Sequence, residues 1–232
     1  MKAMDVMTTP VVTVDIETPV AEIAKRLVER RISAVPVVDT EGRLVGIVSE
    51  GDLMRRPESG GEPHPSWWLA LVADPQTQAR EYLKAHGGRA GDVMTHEVTT
   101  VNEEASLEEI ATLLEKHRIK RVPVVRDGKL VGIVSRANLL QGIVARKRAQ
   151  QPSVDDRTLR ELVTVAIRAS GVRSDFVNPV VVDGIVDLWG MAHSEAERDA
   201  IYVAAAGVSG VKGVEHQLGV LSPMLAANLG TQ

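Results

Sequence analysis

The chain has 232 residues, 44% of them hydrophobic, enough for two modest cores. It contains no cysteine, which excludes disulfides and thiolate metal sites and fits a reducing compartment. Residues 1–152 carry 21 Lys+Arg against 21 Asp+Glu and residues 153–232 carry 6 against 10, so the C-terminal third holds the whole net charge of −4. That balance is unlike a duplex-binding surface, and nucleic acid is not an expected partner. The N-terminus leads into no apolar leader segment, and no run approaches the roughly 18 apolar residues that span a bilayer. A soluble, cytoplasmic protein is expected.

An internal duplication organises the first 150 residues. Asp5-Val6-Met7-Thr8 recurs 87 positions later as Asp92-Val93-Met94-Thr95, and Val35-Pro36-Val37-Val38 recurs at the same offset as Val122-Pro123-Val124-Val125. Leu44-Val45-Gly46-Ile47-Val48-Ser49 returns 86 positions on as Leu130-Val131-Gly132-Ile133-Val134-Ser135, one residue having been lost from the turn before it. Each copy opens with a short β segment, Val11 to Val14 or Val98 to Val101. An amphipathic helix follows. Val20, Ile23, Ala24, Leu27 and Val28 make one helical stripe, and Leu107, Ile110, Ala111 and Leu114 repeat it. Thr18 before Pro19 predicts an N-cap with proline at the first helical position, and Ser106 with Glu109 predicts a capping box. Two strands, Val35 to Asp39 and Leu44 to Val48 in the first copy, turn through Gly42 (Gly128 in the second). A short helix then starts at Ser49 or Ser135.

This β-α-β-β-α order, with VPVVD…GRLVGIVSEGDLM and VPVVRDGKLVGIVSRANLL, resembles the CBS domain family over nearly all of residues 1–56 and 88–145. The resemblance implies a pseudo-symmetric pair with two clefts, assembled further into a homodimer, that binds AMP, ADP, ATP or S-adenosylmethionine. Gly46, Ile47, Ser49 and Asp52 match the family's ribose-phosphate motif. Asp52, an acceptor-only carboxylate, takes the ribose hydroxyls, and Ser49 at a helix start faces the phosphate. Thr18 joins this site, and Ala34, Val35, Pro36 and Ile47 border the base. Taken alone, Ser49-x-x-Asp52 reads equally as an N-cap with an acidic N3 residue, and the two roles are compatible. The second cleft would use Val122, Pro123, Ile133, Ser135 and Asn138. Asn138 stands where Asp52 stands, which loses the charge and weakens ribose binding. Lys120 and Arg121 replace Ser33 and Ala34, and they either reach phosphate or form a solvated pair. Two unequal clefts are expected.

The expected domains are 1–56 and 88–150 for the two repeats, 57–87 for an insertion, 153–222 for a further module and 223–232 for a tail. The insertion holds Trp67 and Trp68, read as core caps, a dimer contact or a lid, and a helix from Gln76 to Ala85. Arg146-Lys147-Arg148 reads as a solvated linker or helix end. In the last module Leu159, Leu162, Val163, Ala166 and Ile167 form a helical stripe, and Asp183-Gly184 is a hairpin turn between two strands. Ser194 and Glu197 form another capping box before a helix to about Ala206, and a last strand runs from Glu215 to Leu221. This αββαβ order, with VDGIVDLWG, SEAERDAI and VSGVKGVEHQLGV, resembles the BON domain family. The resemblance implies phospholipid attachment. The module's own −4 disfavours an anionic bilayer, leaving a protein partner or self-association as the expected role.

The overall fold class expected is α+β. No catalytic constellation stands out: His64, His86, His96, His117, His193 and His216 show no metal-ligand spacing, and Gly207-Val208-Ser209-Gly210 lacks half of a nucleophile elbow. Gly87-Gly88-Arg89-Ala90-Gly91 lacks the Lys-Ser/Thr of a phosphate loop. The chain is therefore expected to be a non-enzymatic sensor with an adenine nucleotide as ligand and no metal. The other reading is an interaction scaffold with vestigial clefts.

Overall fold

The computed structural model describes residues 1–54, 86–145, 154–173 and 176–220. Trp67 and Trp68, the helix expected at 76–85, the basic run 146–148 and the tail 223–232 lie outside the described residues. The architecture is α+β. The chain divides into two compact units, one of Val12–Thr99 with Asp127–Leu130, the other of Met1–Val11, Thr100–Arg126 and Val131–Gln232.

In the first of these units, helix α2 (Val20–Glu29) precedes strands β1 (Ala34–Val38) and β2 (Leu44–Ser49), and α3 (Glu50–Met54) follows without a break. The strands pair antiparallel with Ala34 opposite Ser49 and Pro36 opposite Ile47. Side chains alternate along a strand, so Val35, Val37 and Val48 enter the core with Ile23 and Leu27. The helix begins one residue later than its sequence predicts. Pro19 has an extended backbone and is the cap residue, while the Thr18 hydroxyl accepts the Asp15 amide at 3.1 Å. Val28, counted in the apolar stripe, is instead 72% exposed. The core also contains Ala90, Val93 and Met94, which belong by sequence to the opening of the second repeat. Their short helix α4 (Ala90–Val93) is tied down by Ala90 N–H to the Thr18 carbonyl at 2.8 Å and Gly91 N–H to the Ile16 carbonyl at 2.9 Å.

The other unit mirrors this exchange. Helix α1 (Ala3–Val6) opens the chain, yet Ala3, Val6 and Met7 pack with Ile110, Leu114, Val122, Val124 and Val134 of the second repeat. Here β3 (Val101–Asn102) runs parallel to β4 (Arg121–Arg126), which neighbours β5 (Lys129–Ser135). Helices α5 (Leu107–Lys116) and α6 (Arg136–Ala145) complete the repeat. Ser106 caps α5 by accepting the Glu109 amide at 3.1 Å, as the sequence suggests. The turn Asp127-Gly128 has φ of 51° and 78°, a left-handed pair that glycine adopts at little cost. Each repeat thus lends its opening turn to the core of its twin.

The C-terminal module follows in the same unit: α7 (Val154–Ala169), β6 (Val177–Val182), β7 (Ile185–Ala192), α8 (Glu195–Ala206) and β8 (Gly213–Val220). Strands β6 and β7 form the expected hairpin through Asp183-Gly184, both with positive φ, and β8 joins β7 in parallel. Ser194 caps α8, but the Glu197 carboxylate accepts the His193 amide rather than that of Ser194. Of the α7 stripe, Leu159, Val163 and Ile167 are buried, whereas Leu162 is exposed. The buried line beside them is polar, Asp156 and Arg160, a pattern that apolar periodicity cannot show. Strand β6 is buried along its whole length because both faces are covered. Val177 and Val181 pack under the module's helices, whereas Val180 and Val182 join the core of the second repeat. Burying two valines contributes roughly 3–5 kcal/mol to holding the module there.

Candidate functional site

The β1–β2 register gathers the residues expected at the first cleft. Ala34, Pro36, Ile47 and Ser49 all project from one face of the hairpin, opposite to the core face of Val35 and Val37. Val35 is therefore a core side chain, and only its backbone borders that face; the same alternation sends Val122 to the core in the second repeat. Gly46 sits opposite Val37, where a Cβ would lie 2.4 Å from the Met94 sulfur, so its glycine admits the crossing segment. Thr18 is buried beside Asp15 and gives its carbonyl to Ala90.

Asp52 lies one turn beyond Ser49 and is only 7% exposed. Its Oδ2 accepts the Ser49 amide at 2.9 Å and the Ser49 hydroxyl at 2.6 Å. This is the reciprocal half of a helix cap, built by the acid rather than by the serine. The start of α3 is closed against the residue just before β1 by Glu50 N–H to the Ser33 carbonyl at 3.0 Å. Thr95 reaches β2, pairing with Ile47 in both directions at 3.0 and 2.9 Å. The result is a fixed hydroxyl–carboxylate pair bordered by small apolar side chains.

The second repeat reproduces the frame with an amide in place of the acid. Asn138 Oδ1 accepts the Ser135 amide at 2.8 Å and its hydroxyl at 2.7 Å. Its Nδ2 donates to Thr8 Oγ1 at 3.3 Å and to Gln141 Oε1 at 3.2 Å. Ile133 pairs with Thr8, and Arg136 N–H donates to the Lys120 carbonyl. Pro123 and Arg121 lie on the non-core side of β4, while the Lys120 side chain is exposed. Gly132, like Gly46, lies against a methionine, Met7, at 2.3 Å from a built Cβ.

Arg160 and Asn178 escape a motif-based reading. The Arg160 guanidinium is 5% exposed and donates to the carbonyls of Pro179 (2.8 Å), Met7 (2.5 Å) and Met4 (3.3 Å) and to Asn178 Oδ1 (3.3 Å). Burial pushes its pKa down to about 10, so it stays charged at neutral pH. Arg157 bonds Asp5 at 2.7 Å, and that carboxylate raises the guanidinium above its ordinary value. Among the described residues, no group of three or more His, Cys, Asp or Glu side chains is placed to hold a metal ion, and no helix is long and apolar enough to cross a membrane.

Comparisons with known proteins identify two families in the chain. A CBS domain model matches residues 3–59 and 90–145, and a BON domain model matches 155–222. CBS domain-containing protein CBSX1, chloroplastic, of Arabidopsis thaliana is 36% identical over 142 residues, covering 57% of this chain and 58% of its own length. CBS domain-containing protein YhcV of Bacillus subtilis is 31% identical over 135 residues, covering 58% of this chain and 80% of its own. The crystal structure of CBSX2 in complex with AMP is similar at a TM-score of 0.56 and 31% identity, over 63% of this chain and 99% of that one. The chain thus spans just over half the length of the chloroplastic relative CBSX1. It belongs to the CBS domain proteins, and carries a CBS pair followed by a BON domain.

Proposed function

We propose that this chain is a non-catalytic regulatory protein that binds an adenine nucleotide in its first CBS cleft and relays occupancy to the BON module. The observation that carries the reading is the buried Asp52–Ser49 pair on the same side of the hairpin as Ala34, Pro36 and Ile47. Adenine needs apolar walls with backbone hydrogen-bonding groups at their rim, which Ala34, Pro36 and Ile47 supply. A ribose diol needs a charged acceptor with lone pairs on two oxygens, and a carboxylate offers about four such positions. Similarity to a CBS pair protein crystallised with AMP supports that ligand class. The relay is supported by the packing of Val180 and Val182 into the core of the second repeat. The exposed apolar side chains Leu140, Ile143 and Val144 on α6, and Val28 and Met54 in the other unit, favour a homodimer formed through the CBS repeats.

The test is a thermal-shift panel of AMP, ADP, ATP, NAD and S-adenosylmethionine on the full chain. A ligand at 100 times its Kd stabilises the folded state by about 2.7 kcal/mol. The Asp52→Ala variant should lose the shift. A panel that moves nothing overturns the reading. Light scattering on the same sample should give twice the chain mass, and a monomer would remove the dimer from the proposal.

A further inference from the structure

Position 138 is one chemical difference between the two repeats, and its surroundings assign it a purpose. An asparagine side chain has two acceptor positions and two donor hydrogens. All four are used: Ser135 N–H and Oγ–H reach Oδ1, and Nδ2 reaches Thr8 and Gln141. Gln141 Oε1 in turn accepts from Asn178 Nδ2 of the BON module at 2.8 Å. Asn178 Nδ2 also donates to the Val6 carbonyl at 3.1 Å, while its Oδ1 accepts from Arg160.

The polarity of this chain is fixed at both ends. Arg160 can only donate and the Val6 carbonyl can only accept, so Asn178 cannot be turned over. Asn178 therefore presents a donor to Gln141, which must answer with its oxygen. At the other end the Ser135 amide can only donate, which fixes Asn138 Oδ1 toward it and Nδ2 toward Gln141. An aspartate at 138 would set oxygen against oxygen at the 3.2 Å contact. Turning Gln141 over would only move the conflict, placing its amide against Asn178 Nδ2 at 2.8 Å. In sequence, the first-repeat position that matches Gln141 holds an arginine, Arg55, and not an amide residue.

We propose that Asn138 is the residue that converts the second cleft from a ribose site into the anchor of the BON module, and that ribose capture there and BON docking exclude one another. Asn138 is thus a specificity determinant and not the remnant of a lost site. The exclusion half rests on the nucleotide reading above; the docking half does not.

Hydrogen exchange on the full chain tests the docking. Asn138→Asp should speed amide exchange about tenfold or more in the segments 3–6 and 177–182, while the first repeat exchanges as in the native chain. The uncharged variant Gln141→Met removes the acceptor that joins Asn138 to Asn178 without adding a carboxylate, and should speed exchange in 177–182 in the same direction. Native-like exchange in either variant overturns the docking role. Calorimetry with AMP tests the exclusion: one site per native chain and two in Asn138→Asp. Two sites in the native chain, or one in both, overturns it. No heat in either overturns the nucleotide reading and with it the exclusion, while the exchange experiment still decides the docking.

Discussion

Replacing Arg160 by methionine keeps a long apolar stem and deletes the charge that joins the BON module to the second repeat. The guanidinium makes two short bonds, to the Pro179 and Met7 carbonyls, and two longer ones, to the Met4 carbonyl and Asn178. Hydrogen bonds to a charged group are worth about 1.5–3 kcal/mol each, so the short pair contributes roughly 3–6 kcal/mol and the long pair about 1–2 more. Against this stands desolvation. Lowering the pKa from its ordinary value to about 10 corresponds to roughly 3 kcal/mol at 1.36 kcal/mol per unit. The difference leaves Arg160→Met less stable by about 1–5 kcal/mol. At 2–4 °C per kcal/mol for a chain of this size, a central loss of ~3 kcal/mol lowers the Tm by about 6–12 °C. The pH dependence follows from the sign of the shift. A base whose folded pKa is depressed carries a constant penalty below about pH 10, and the penalty shrinks only as pH rises from there toward the unfolded guanidinium's ordinary value. The difference between native and variant should therefore be flat from pH 6 to 9. A variant as stable as the native chain, or a difference that changes across that range, would refute the reasoning.

Three further outcomes follow from the packing. Gly46→Ala places a methyl 2.4 Å from the Met94 sulfur and should cost about 1–3 kcal/mol by urea denaturation. Adding Met94→Ala should recover part of that loss. Asp156→Ala leaves the buried Gly184 amide without the carboxylate that accepts it at 2.8 Å, and should cost about 1–3 kcal/mol with faster exchange at the hairpin 182–186. Gly190→Ala, at φ +128° with the Phe176 carbonyl 1.7 Å from a built Cβ, should prevent the β6–β7 pairing, read as loss of exchange protection in 177–182.

The duplication, the helix–strand order and the hairpin turns were legible because they rest on local chemistry: 3.6- and 2-residue periods, capping serines, and glycines at positive φ. The Ser49–Asp52 pair was legible as both cap and site, and the structure shows the cap formed by the acid. The exchanged opening turns were not legible, since Asp92 to Thr95 carry the same residues whichever repeat they complete. Nor was the BON docking. Buried polar side chains such as Arg160 and Asn178 look, in sequence, like solvated ones; the carbonyls of Met4, Met7 and Pro179 explain the first, and the Val6 carbonyl with Gln141 explains the second. The substitution of Asn138 for Asp52 was visible from the alignment of the repeats, but its reason lies 40 residues away, at Asn178.

The central claim is that the hydroxyl–carboxylate pair of the first repeat holds a nucleotide. Its most direct measurement is the AMP-dependent exchange footprint of the full chain. Protection should rise at residues 34–36 and 46–54 on adding AMP, and should vanish in Asp52→Ala. Protection confined to other segments, or retained in full without that carboxylate, would contradict the account.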